Sequence, residues 1–185
     1  MNFNKHWELQ GKHAFLSASH YHWINYDVER LISVYRNFRA KEYGTKLHEF
    51  ACTAIELGVQ LYDCERTLNR YVNDAIGFGM TPEVTLYYSD NCFGTADTIA
   101  YSDKVLRIHD LKTGKTPASF HQLEVYAALF CLEYDVNPGD IEIHLRIYQY
   151  DEDPLEEEPD PEIILSIMET IIEFDRIIAD LRKEG

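Results

Sequence analysis

Long apolar runs, clustered cysteines and a leader-like N-terminus are all missing from this 185-residue sequence. No stretch of about 18 consecutive apolar residues occurs, so no membrane-spanning helix is expected. The opening MNFNKHWELQGKHAF has no apolar core of the secretory kind, and a cytoplasmic location is expected. The four cysteines, Cys52, Cys64, Cys92 and Cys131, stand far apart with no Cys-x-x-Cys pair. A zinc knot or iron–sulfur cluster is therefore not expected, and reduced thiols are. The phosphate loop Gly-x-x-x-x-Gly-Lys-Ser/Thr, the Gly-x-Ser-x-Gly elbow and His-Glu-x-x-His are absent, and no bound nucleotide is expected. Gly114 and Lys115 resemble part of a phosphate loop, but the glycine spacing is wrong.

Positive charge is also scarce. There are 17 Lys and Arg against 32 Asp and Glu, a net charge of −15. Such a balance argues against a generic polyanion-binding surface, because that affinity comes from neutralised phosphates. The excess is uneven, however: residues 151–185 hold 13 acids and 3 bases. What is present in quantity is apolar and aromatic, 45% and 13% of residues, enough for a real core in one domain.

Periodicity gives the element order. Trp7, Phe15 and Leu16 are candidate anchors, and Ser17 or Ser19 can cap a helix running to about residue 40. Gly44 is expected to interrupt, with Thr45 capping a second helix over about 45–60 that carries His48 beside its apolar side. A short third helix covers about 67–77. The pattern then changes to strands at EVTLYY, FGTADTIAY and VLRIHDLK, separated by turns at Ser89–Asn91 and Ser102–Lys104. A helix begins near Ser119, and IEIHLRIYQY forms a fourth strand. Residues 151–161 read as an acidic linker with prolines. Residues 162–185 form a helix whose isoleucine stripe packs on the core or on a partner. A helix between strands three and four allows a crossover. The expected fold is thus α/β (α+β), a mixed central sheet of about four strands flanked by helices.

Chemistry concentrates between Gly94 and Tyr126. Asp110 and Lys112 are two apart on a strand and so share a face. A carboxylate at the end of an apolar strand is costly to bury unpaired. Asp97 lies on the preceding strand, and the turn at 102–104 can bring it to Asp110. Two close carboxylates repel, and a divalent cation relieves this; oxygen ligands suit Mg²⁺ or Mn²⁺. Gln122 and Tyr126 fall on one helix face at i and i+4, where they can reach a phosphate or a base. Glu83, just after Pro82 on the first strand, is a further metal candidate.

The ordered set formed by His48 on an upstream helix, GTADTI, IHDLKTGK and Gln-x-x-x-Tyr resembles the PD-(D/E)XK nuclease superfamily, in particular its RecB-like branch with phage exonucleases. The resemblance covers about residues 44–150 and implies a restriction-endonuclease-like core within a nuclease domain spanning 1–150. It implies that His48, Asp97, Asp110 and the carbonyl of Leu111 bind one or two Mg²⁺ or Mn²⁺ ions. Lys112 then orients or activates the attacking water, while Gln122 and Tyr126 support the site and the strand. The implied activity is metal-dependent hydrolysis of DNA, as an exonuclease in phage-type replication, recombination or repair. DNA is the implied partner, and the C-terminal helix is the candidate contact for a homo-oligomer or a recombination or replication protein. Two other classes are a non-catalytic interaction protein on the same fold and an acidic DNA mimic.

Overall fold

A computed structural model describes residues 2–184; the first residue of the expected nuclease domain and the last of the expected C-terminal helix lie outside the described residues. The chain divides into two compact units, the first ending at Thr45 and the second beginning at Lys46.

In the first unit, two 3₁₀ stretches, Trp7–Leu9 and Ala18–Asn25, precede helix α1, Val28–Glu56. Asp27, rather than Ser17 or Ser19, starts that helix. Its carboxylate accepts the Arg30 N–H at 2.7 Å, satisfying a donor that the first turn leaves free. Of the expected anchors, Phe15 packs its ring against Tyr35 and Phe38, at centroid distances of 5.0 and 5.2 Å. Trp7 and Leu16 are exposed.

The expected break at Gly44 does not occur. Helix α1 runs straight through it, and Thr45, expected as a cap, turns its hydroxyl back to the Lys41 carbonyl at 3.2 Å. A glycine inside a helix costs only about 1 kcal/mol relative to alanine, too little to stop a 29-residue helix.

The second unit contains the last turns of α1, then α2 (Thr67–Gly77), β1 (Thr81–Ser89), β2 (Cys92–Ser102), β3 (Val105–Leu111), α3 (His121–Glu133), β4 (Glu142–Tyr148), β5 (Leu155–Glu157) and α4 (Pro161–Glu184). The sheet is mixed and flanked by helices, with five strands in the order β1-β2-β3-β4-β5. β1, β2 and β3 form an antiparallel meander, and β3 pairs parallel to β4 through the crossover helix α3. The β2–β3 turn is a two-residue connection in which Asp103 and Lys104 both have positive φ, 51° and 65°, so it is of type I′ without glycine.

The fifth strand corrects the expected count of about four. It forms inside the acidic segment read as a linker. Glu156 lies opposite Arg146 in the register, and the two side chains meet at 3.1 Å. That cross-strand pair draws an otherwise solvated stretch onto the sheet edge.

Strand alternation divides the interior into two layers. Leu106 and Ile108 of β3 join Leu123, Ala127, Phe130 and Ile164 on the side of α3 and α4. Leu111 joins Ala51, Ile55, Val72, Ala75 and Tyr148 on the side of α2 and the end of α1. The stripe of α4 buries Ile164 fully and Ile167, Met168 and Ile171 in part, while Phe174 and Leu181 stay exposed. No helix among the described residues is long and apolar enough to cross a membrane.

Candidate metal centre

The site forms where both layers reach the C-terminal end of β3. Asp110 has the same parity as Leu106 and Ile108, so its side chain lies on the face covered by α3, and Lys112 follows it. From the other layer, α1 contributes His48, one and two turns before the buried Ala51 and Ile55 and therefore on the same helix face.

β2 is irregular where it passes Asp97. Ala96 and Ile99 are three apart yet pack in one cluster, whereas a regular strand keeps residues on one face an even number apart. The β2–β3 ladder last pairs Thr98 with His109, leaving the buried Leu111 N–H without a strand partner. The Asp97 carboxylate supplies it, with Oδ2 accepting the Leu111 N–H at 2.9 Å. Glu83 stands across from Asp97, between the register pairs Pro82–Thr98 and Val84–Ala96, and has a φ of 52°. Left-handed backbone is rare for a residue with a long side chain and marks a position held by its surroundings.

Donor atoms of His48, Glu83 and Asp97 lie within 4.8 Å of one another. His48 Nδ1 is 3.5 Å from Asp97 Oδ2, and this contact holds the imidazole pKa above its ordinary value despite partial burial. The Glu83 carboxyl is also raised, first by desolvation and then by the Asp97 charge.

Asp110 is nearly inaccessible, with 3% of the residue exposed. Burial, and next the charge of Asp97, raise its pKa, and Lys112 only partly offsets them. Lys112 Nζ lies 2.9 Å from both Asp110 oxygens, but the geometry makes a hydrogen bond to Oδ1 alone. Oδ2 is buried, and the Lys112 ammonium is its ion-pair partner.

The ammonium is aimed by a relay from α3. Lys112 Nζ donates to Gln122 Oε1 at 2.8 Å, and Gln122 Nε2 donates to the Tyr126 hydroxyl at 3.0 Å. The Tyr126 ring lies over Gly94, where a Cβ would come within 2.9 Å of its Cε1. Sequence reasoning singled out both ends of this contact without linking them. Gly94→Ala should push the ring away, loosen Gln122 and Lys112, and cost about 1–3 kcal/mol as overpacking does. Urea unfolding measures the cost.

The structure thus gathers His48, Asp97, Asp110, Lys112, Gln122 and Tyr126, and adds Glu83 to the donor group. The Leu111 backbone is tied to Asp97. Residues 84–158 match the family model described as protein of unknown function, DUF2800. No curated protein and no solved structure matches the chain. The matched stretch contains Asp97, Asp110, Lys112, Gln122 and Tyr126 and excludes His48 and Glu83.

Gln149 was not anticipated as part of the surroundings. Its buried amide donates to the carbonyls of Gly114 and Thr116, at 2.7 and 2.8 Å, and the Tyr150 hydroxyl donates to the Lys115 carbonyl at 2.8 Å. These bonds pin the loop that follows Lys112. No spacing rule links residues 35 apart; only the parallel neighbour β4 brings them together.

The donors fit a hard divalent cation. His48, Glu83 and Asp97 offer one imidazole and two carboxylates, and Asp110, which feels the charges of Asp97 and His48, is a third carboxylate nearby. Soft ligands are absent from the donor group, which disfavours a thiolate-loving metal.

Proposed function

We propose that the second unit is a Mg²⁺- or Mn²⁺-dependent nuclease that hydrolyses phosphodiester bonds in DNA, built on the PD-(D/E)XK pattern of the RecB-like branch. The observation that carries the reading is the buried carboxylate of Asp110, which feels the charge of Asp97 and shares one ammonium group, beside the converging donors of His48, Glu83 and Asp97. Burying a charge costs several kcal/mol unless it is paired, hydrogen-bonded or bound to a cation. Lys112 pairs with Asp110, but the carboxylates of Asp97 and Glu83 leave an excess of negative charge that a divalent cation would offset.

His48, Glu83, Asp97 and Asp110 are the residues to hold the ion. When bound, a divalent ion lowers the pKa of water and stabilises charge on the phosphate. The chain supplies the rest. Lys112, steered by Asp110 and Gln122, presents its protons to the attacking water or a phosphate oxygen. Tyr126 keeps Gln122 in place. Asp97 fixes the end of β3 through the Leu111 N–H, so the donors from α1, β2 and β3 stay in one arrangement. Cutting from strand ends, and a role in replication, recombination or repair, rest on the resemblance to the branch.

End-labelled single- and double-stranded DNA and RNA, incubated with Mg²⁺, Mn²⁺ or chelator, test the reading. The expected result is progressive shortening of DNA that needs the cation. Failure to cut any of these with either ion, together with no measurable Mn²⁺ binding, removes it.

A further inference from the structure

The first unit differs in chemistry from the rest of the chain. Up to Thr45 it has six Lys and Arg against four Asp and Glu, a net of +2, which leaves −17 for the remainder. It holds nine aromatic residues, including both tryptophans of the protein. Among its described residues Gly44 alone is buried. The rings are presented to solvent: Trp7 is 69% exposed, Tyr21 58% and Tyr43 64%.

An exposed aromatic surface of this extent implies an occupant. Charge indicates its nature. Cations are interleaved with the rings, Lys5 lying 5.2 Å over Trp7 and Arg30 5.1 Å over Tyr26. Among the described residues of this unit, Arg39 is the one Lys or Arg paired with an acid, Glu42, at 3.2 Å. Exposed aromatic rings, beside cations that lack acidic partners, are what a single-stranded polynucleotide requires: π faces for its bases and positive charge for its phosphates. A duplex, with its bases already stacked, gains only from the cations.

We infer that residues 2–45 form a binding arm for single-stranded nucleic acid. The substrate class agrees with the proposed nuclease, but the inference rests on the arm's own rings and charges and does not require cleavage. It also explains how an acidic protein engages a polyanion: the attraction is local to one unit.

Because both tryptophans lie in the arm, their fluorescence reports its occupancy directly. The full chain is titrated with oligo-dT, oligo-U and a duplex in EDTA, so that binding is read whether or not the protein cuts. Expected are quenching by oligo-dT or oligo-U, weaker binding of duplex, and affinity that falls with salt at a slope of about −0.7 per phosphate contacted. Trp7→Ala with Tyr21→Ala should weaken binding roughly tenfold or more, the scale of losing a stacking platform. Both side chains are exposed, so the fold is kept, and circular dichroism checks this. No quenching by either oligomer, or binding unchanged in the double variant, overturns the inference. So does a mass that rises with protein concentration while oligomer binding is lost, since a second copy then covers the rings. Binding in EDTA, with no cutting under Mg²⁺ or Mn²⁺ and no Mn²⁺ binding, leaves the arm and sinks the nuclease; cation-dependent cutting without arm binding does the reverse.

Discussion

Asp110→Ala and Lys112→Ala should each slow cation-dependent cleavage by roughly a thousandfold or more, the scale seen when a group acting on the reacting atoms is removed. Their effects on stability should differ. Removing Asp110 takes away a buried charge and its repulsion with Asp97, and it leaves Lys112 partly exposed with Gln122 as partner. Its cost should be small. Removing Lys112 leaves Asp110 buried without its counter-charge, and breaking such a pair costs about 3 kcal/mol. Asp110 can escape by taking a proton, so the deficit of Lys112→Ala should shrink at acid pH. Single-turnover cleavage and urea unfolding at two pH values measure both effects. Parental cutting rates in both variants place the chemistry elsewhere. Equal stability of the two variants at neutral pH means that Asp110 is not charged in the fold.

Raising the pH should strengthen Mn²⁺ binding while weakening the cation-free protein. His48 is raised by its contact with Asp97, and Asp110 and Glu83 are raised by desolvation and then by Asp97. Each group holds its proton more tightly folded than unfolded. Its contribution to stability is therefore complete below the unfolded value and is lost as the pH rises through the folded one. For Asp110 that loss begins above the ordinary carboxylate value of about 4, and for His48 above about 6.5. Glu83 is exposed, so its share is smaller. Cation ligands must shed the same protons, so affinity climbs over the same range, by up to about tenfold per pH unit for each proton displaced. Melting in EDTA and Mn²⁺ titration across pH 5 to 8 read the two trends. Affinity that does not change with pH would mean that these groups do not hold the ion. His48→Ala should flatten the upper part of the affinity curve and leave the lower part, which belongs to Asp110.

The meander, the crossover helix and the last helix were legible because each is local. Period-two alternation, turns at Ser89–Asn91 and Ser102–Lys104, and apolar spacing of three and four are short-range consequences of backbone geometry. Asp110 and Lys112 could be paired on paper for the same reason, and Gln122 with Tyr126. Gly44 misled because a propensity difference of about 1 kcal/mol was read as a stop signal. The acidic segment misled because its composition favours solvation, whereas its partner Arg146 lies ten residues earlier on a strand beside it.

By itself, then, the sequence determined the order of elements and which polar residues share a face, since both follow from spacing along one chain. The tertiary structure alone decided that Glu83, His48 and Asp97 converge, that Asp97 holds the Leu111 N–H, that Tyr126 rests on Gly94, and that Gln149 pins the loop after Lys112. These contacts join residues far apart in the chain, and they depend on a strand irregularity and a left-handed backbone that local propensity disfavours. Only packing between layers can hold such a conformation, so only the folded protein reveals it.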